Sequence, residues 1–199
     1  MNNNFHVDMS GRIYENRTIG IALVGTETKE NYGCVLKGNL IKLIKKNLFI
    51  KNIYEDSAKL YAICIFLLVK KVKNNIHTLI ICNDEDFEAV KKVLLKLLRD
   101  CNFETSRCLC NLSTSVWSEH LDSAQEPEHA RDFGPRVLDI ISISEFRKRL
   151  GRNVGSLADN YANIYRKRGL KPNKLSKGRE LNVVEVTYKI IKGYWEELA

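Results

Sequence analysis

The sequence has no apolar run long enough to cross a bilayer. The longest, Leu60 to Val69, falls far short of the roughly 20 residues a spanning helix needs, so no membrane partner is expected. Internal repeats and low-complexity segments are also lacking, which leaves 199 residues for one ordinary domain, or one domain with an appendage. Paired C-x-x-C knuckles are missing as well. The six cysteines are scattered between apparent core segments (Cys34, Cys64, Cys82) and one cluster (Cys101, Cys108, Cys110) upstream of His120. Without the knuckles that cluster does not argue for zinc, and Cys108 and Cys110 alternate about Leu109 as strand residues do. Met1-Asn2-Asn3-Asn4 has neither the basic nor the apolar region of a signal peptide, so reduced thiols in the cytoplasm are the expectation. His77 has no nucleophile to pair with and reads as a strand residue.

What is present is a hydrophobic content of 44%, sufficient for a true core, and a formal charge of +8, which favours an anionic partner. The chain opens on Phe5-His6-Val7-Asp8-Met9-Ser10-Gly11, where Phe5 and Val7 alternate with polar residues as in a half-buried strand. Ser10-Gly11 turns the chain and Ile19 to Val24 makes the next strand. A carboxylate in the opening strand of a hairpin has no helix to cap. Asp8 therefore bears a desolvation cost that a cation would relieve, unless it simply bonds Ser10 in the turn.

Further along, Tyr32 to Leu36 reads as a third strand, so the chain starts antiparallel. Residues Leu40 to Ile53 are ambiguous: a helical period of Leu and Ile is interrupted by Lys and Asn. A firm helix is predicted from about Tyr54 to Lys73, apolar nearly all round and so buried on a sheet. Ile76 to Cys82 has the composition of a central strand, and a helix with apolar residues from Phe87 to Leu98 follows, ending near Asp100. Phe103 to Cys110 would complete a βαβ unit. Leu112 to Pro135 is a polar loop or insertion, in which His120 and His129 read as surface residues. Arg136 to Ile143 is one more strand, leading to short helices over Glu145 to Leu150 and Leu157 to Arg168. Beyond Pro172, Val183, Val186, Ile190, Ile191, Tyr194 and Leu198 share one face of a last helix. The class is α/β, a mixed sheet of about five strands flanked by helices.

Acidic residues fall at telling places in this scheme: Asp8 in the first strand, Glu55 and Asp56 opening the first long helix, Asp84 after the fourth strand, and Asp159 in a late helix. Carboxylates at strand ends and adjacent helix starts can converge on one point. Several oxygen donors there suit Mg²⁺ or Mn²⁺, and two such ions about 3.5–4 Å apart would activate water in phosphodiester cleavage. Each of the later acids also has a structural explanation. Ser156 with Asp159 fits a capping box, Asp84 could cap the next helix, and Glu55 and Asp56 favour a helix dipole.

Taken together, the strand with Asp8-Met9-Ser10-Gly11, the hairpin, the acid-started helix, the strand ending in Asn83-Asp84 and the late Leu157-Ala158-Asp159-Asn160-Tyr161-Ala162 resemble the ribonuclease H-like superfamily. The similarity is to a branch with an Asp-x-Ser-Gly opening and a late Leu-Ala-Asp helix, and it covers most of Asn4 to Arg168. It implies a ribonuclease H-like domain over residues 1–170, followed by a helical extension over 171–199. It further implies that Asp8 bridges two metal ions, Asp84 binds one and Asp159 completes the second site. The family's helix acid has no direct match, because Lys59 stands at that position. Glu55, one turn earlier on the same face, is the favoured substitute over Asp56. The expectation is a metal-dependent nuclease acting on DNA or RNA. The alternative, which Lys59 keeps open, is a non-catalytic nucleic-acid-binding protein on an inert fold.

Between Arg147 and Arg179 stand eleven Lys or Arg and a single acid, Asp159, so this stretch carries more positive charge than the whole chain's +8. Arg147, Lys148, Arg149, Arg152, Arg166, Lys167, Arg168, Lys171 and Lys174 are thus candidate phosphate contacts, with Tyr161 and Tyr165 interleaved for unpaired bases. The bland alternative is a solvated helix face.

Overall fold

The computed structural model describes residues 3–28, 30–72, 76–100, 138–151, 155–170 and 181–198. The strand expected over Phe103 to Cys110, the loop over 112–135, the Cys101, Cys108 and Cys110 cluster with His120, and His129 lie outside them. Three consecutive strands, β1 (Asn4–Met9), β2 (Ile19–Gly25) and β3 (Asn31–Leu36), pair antiparallel as short turns require. β4 (Thr78–Ile81) lies parallel to β1 on its other side, and β5 (Asp139–Ser142) parallel to β4. Among the described residues the sheet is mixed and six-stranded, in the order β5-β4-β1-β2-β3-β6.

The ambiguous stretch resolves into helix α1 (Gly38–Leu48), which buries Ile41, Ile44 and Leu48. A break of four residues then leads to α2 (Ile53–Val69), started by Asn52, whose side chain accepts from the Tyr54 and Glu55 amides. α3 (Phe87–Asp100) packs on α2. Short α4 (Ile143–Leu150) and α5 (Asp159–Leu170) follow β5. The final helix, α6 (Tyr188–Glu197), is shorter than its apolar period suggests. Thr187 caps it by accepting from the Ile190 amide, and Val183 belongs instead to β6 (Asn182–Val183), parallel to β3. Open backbone on the β3 edge competes for these residues, and the Val184 amide donates to the Gly33 carbonyl at 2.8 Å.

Alternation along the strands divides the interior. Phe5, Val7 and Met9 of β1 enter the principal core with residues of α1, α2 and α3 and with Ile191 and Trp195 of α6. The opposite face carries α5 over Ala22 and Val24, and α4 over Ile80 and Ile141. His6 and Asp8 belong to this second face. α5 lies unusually close to the sheet because its floor is small. A Cβ on Gly20 would land on the Ala162 carbonyl oxygen and the Arg166 amide, and one on Gly33 would enter the Tyr165 ring. Among the described residues no helix is long and apolar enough to cross a membrane.

Because the Gly20 contact is with α5 backbone, it cannot be relieved by a rotamer change. Gly20→Ala is expected to lower stability by about 1–3 kcal/mol, the usual cost of overpacking, as read from the denaturant midpoint. An unchanged midpoint would mean that α5 is not seated on β2 as described.

Candidate metal centre at the ends of β1 and β4

Parallel pairing aligns Val7 with Ile81, and the Cys82 amide donates to the Val7 carbonyl at 3.1 Å. Asp8 at the end of β1 therefore emerges beside the residues leaving β4. One ligand atom each from Asp8, Cys82 and Asp84 lie within 4.8 Å of one another, and this group could hold a metal ion. Asp8 is 7% exposed. It does not bond Ser10, whose hydroxyl donates to the Gly20 carbonyl and accepts from the Gly20 amide. Its Oδ1 instead accepts from the Met9 amide at 2.8 Å, and Ser156, just before α5, adds a side-chain hydrogen bond.

Asp84 is released from the capping role open to it, because Asp86 accepts from the Glu88 and Ala89 amides at the start of α3. The Cys82 thiol donates to Asp84 Oδ2 at 3.2 Å. From α2, the buried Tyr61 hydroxyl reaches Cys82 Sγ at 3.3 Å and closes the site from behind. Burial raises the Asp8 carboxyl to about 6, against the bonds from Ser156 and Met9; Asp84 raises it further and Cys82 opposes. The Cys82 thiol is pushed well above its ordinary value by burial and by both carboxylates, so it is neutral at pH 7. The donor set is then two carboxylates with a protonated thiol. A bound cation would offset the repulsion between the carboxylates and the desolvation of Asp8, so the residues fit a hard divalent ion.

The other expected acids are placed elsewhere. Glu55 is exposed, and Lys59 on the same helical face donates to the Trp195 carbonyl at 3.0 Å and lies 4.4 Å from the Trp195 ring centroid. That face of α2 meets α6. Tyr61, about 200° further around the helix, is the one that meets the cluster. Asp56 is buried as a loop clasp, accepting from the Ile50 and Lys51 amides at 2.9 Å. Asp159 is exposed in the first turn of α5, where its Oδ1 accepts from Asn163 at 3.3 Å, and it is not one of the three clustered donors. Ser156 accepts from the Ala158 amide at 3.2 Å rather than from that of Asp159, so the expected capping box is not formed.

The sequence reading passed over Cys82, Tyr61, Ser156 and Glu85. Glu85 is buried, its Oε1 has no hydrogen-bond partner, and burial raises it to about 7; the Ile13 amide and Arg12 oppose this rise, and Asp84 adds to it. Its signal was the acidic run Asn83-Asp84-Glu85-Asp86, in which four residues compete for one helix start.

Of the basic residues, Arg149 is committed to Asp139 at 2.6 Å and to Glu145 at 2.7 Å. Lys148 and Lys167 are exposed, and Arg147, Arg166 and Arg168 half-buried. Arg152, Lys171 and Lys174 lie outside the described residues. Compared with models of protein families, with curated proteins and with solved structures, the chain matches none.

A carboxyl raised on folding keeps its proton in the folded state after the unfolded chain has lost it. Metal-free stability should therefore fall as pH rises from about 4 to about 6 through Asp8, and on to about 7 through Glu85. In chelator, Asp8→Asn should flatten the lower part of this decline and gain on the order of 2 kcal/mol at pH 7. Urea melts at several pH values read this directly. Parallel profiles for the two proteins would mean that Asp8 is not desolvated.

Proposed function

We propose that the protein is a divalent-metal-dependent nuclease, or a related phosphoryl-transfer enzyme, built on a ribonuclease H-like fold. The observation that carries this reading is the meeting of Asp8 and Asp84 at the ends of parallel β1 and β4, beside the antiparallel hairpin. Asp8 and Asp84 would hold Mg²⁺ or Mn²⁺. When bound, such an ion supplies a lowered water pKa and stabilises charge on a phosphoryl oxygen. The chain's own part is to fix the two carboxylates. Met9 and Ser156 orient Asp8, while Cys82 and Tyr61 orient Asp84 and keep water from the rear of the site. Asp159, at the start of the helix that Ser156 precedes, is the residue to complete a second ion site. Lys148, Lys167 and their neighbours would meet the nucleic-acid backbone.

One observation favours the inert alternative: α2 offers Tyr61 to the cluster, not a carboxylate. A thermal melt with increasing Mn²⁺ separates the two. A bound ion stabilises by mass action, about 2.7 kcal/mol at a hundredfold excess over Kd. Melting temperature should rise with Mn²⁺ in the wild type and not in Asp8→Asn or Asp84→Asn. Cleavage of single- or double-stranded DNA or RNA should be lost in the same variants and in chelator. No thermal response to either ion, with no cleavage, would leave the binding protein.

A further inference from the structure

Just outside the metal cluster, the β1–β2 connection presents a second concentration of functional side chains. It is not a loose turn. Ile13, in a 3-10 turn over Ile13–Glu15, is fully buried, and Lys45 of α1 donates to the Tyr14 carbonyl at 3.1 Å and to Asn16 Oδ1 at 2.8 Å. On this rigid base Arg12 is exposed and lies in the field of Asp84 and Glu85. Its guanidinium donates to the Tyr14 hydroxyl at 2.9 Å. The Tyr14 ring in turn meets that of Tyr54, at the start of α2, with centroids 6.3 Å apart. Tyr54 is 66% exposed, Ile50 85% and Ile53 39%. Single exposed apolar residues are ordinary, but these stand together in the short loop clasped by Asp56 and the first turn of α2 that follows it. Lys51 stands within that loop, and Lys42 and Lys46 are exposed on α1; among the described residues none of the three has an ion-pair partner.

An exposed and a half-buried tyrosine ring beside cations that make no ion pair among the described residues suit a flexible polyanion with flat apolar groups. A duplex hides its base faces, whereas a single strand offers them for stacking. The placement is directional as well, because contacts run from Tyr54 through Tyr14 to Arg12, whose charge is felt by Asp84 and Glu85.

We infer that Arg12, Tyr14 and Tyr54 form the platform on which single-stranded nucleic acid lands, with unpaired bases stacked on the two tyrosines and Arg12 taking the phosphate nearest Asp8 and Asp84. The direction of the strand toward those carboxylates rests on the nuclease reading; the binding itself does not. Lys51, in the loop before α2, neutralises an outer phosphate. This path lies over the β1–β2 connection and the start of α2.

The test is fluorescence anisotropy of a labelled single-stranded oligonucleotide, as DNA and as RNA, with the full chain in chelator. Each base stack is worth about 1–3 kcal/mol, so Tyr54→Ala should weaken binding roughly five- to a hundredfold. Tyr54→Phe, which keeps the ring, should stay within about twofold of wild type. Arg12→Ala should reduce the slope of log K against log salt by about 0.7. A duplex of the same sequence should bind without regard to Tyr54. Tyr54 is surface-exposed, and an unchanged melting temperature confirms that the variant is folded. Equal affinity of wild type and Tyr54→Ala would overturn the platform, as would an equal loss in Tyr54→Phe, which would assign the effect to the hydroxyl. A Tyr54→Ala variant that binds normally but dissociates a dimer would make the patch a self-association surface and also overturn it. Because chelator removes any metal, platform binding without a Mn²⁺ response sinks only the enzyme. A Mn²⁺ response with Tyr54→Ala unaffected sinks only the platform.

Discussion

The pairing of two parallel strands is the constraint on which this molecule depends. β1 and β4 are distant in sequence, and only their shared ladder brings Asp8 alongside Cys82 and Asp84. Burying β1 on both faces makes that ladder stable, and it also leaves Asp8 in a place where its charge is costly. The hydrophobic energy of the sheet thus holds together two carboxylates that would separate in solution. A site held ready in this way does not have to be assembled when a cation arrives.

The two faces of the sheet divide the labour. On one, the apolar α2 and its neighbours supply most of the core, and α2 reaches the cluster through Tyr61. On the other, α5 rests on Gly20, Ala22 and Gly33, a floor low enough for its backbone to approach the strands. That approach brings Ser156 to Asp8 and leaves Asp159 exposed in the first turn of α5. Glycine costs a strand some stability, which the close seating of α5 offsets.

Helix capping decides which acids are left for chemistry. Asn52 and Asp86 satisfy the first amides of α2 and α3, and Asp56 satisfies two amides of the preceding loop. Asp84 and Glu85 are spared these duties and stay beside the cluster. In a run such as Asn83-Asp84-Glu85-Asp86, every member is chemically able to cap a helix. The choice is made by where the backbone turns, which composition does not reveal.

The sequence by itself determined the antiparallel start, the buried α2, the strand and helix from Ile76 to Asp100, and Asp8 as a carboxylate without a helix to cap. Each of these follows from local period or composition, which a short window contains. Tertiary structure alone decided that Val183 joins an edge strand, that Lys59 turns toward α6 and Glu55 stays exposed, and that Tyr61 and Cys82 stand behind the carboxylates. It also set Tyr54, at the start of α2, against Tyr14 and so beside Arg12 of the β1–β2 connection, a neighbourhood that no local pattern reveals. The physical reason is common to all of these: helix rotation and strand neighbours are fixed by which faces can be buried together, and that is a property of the packed chain, not of any segment in it.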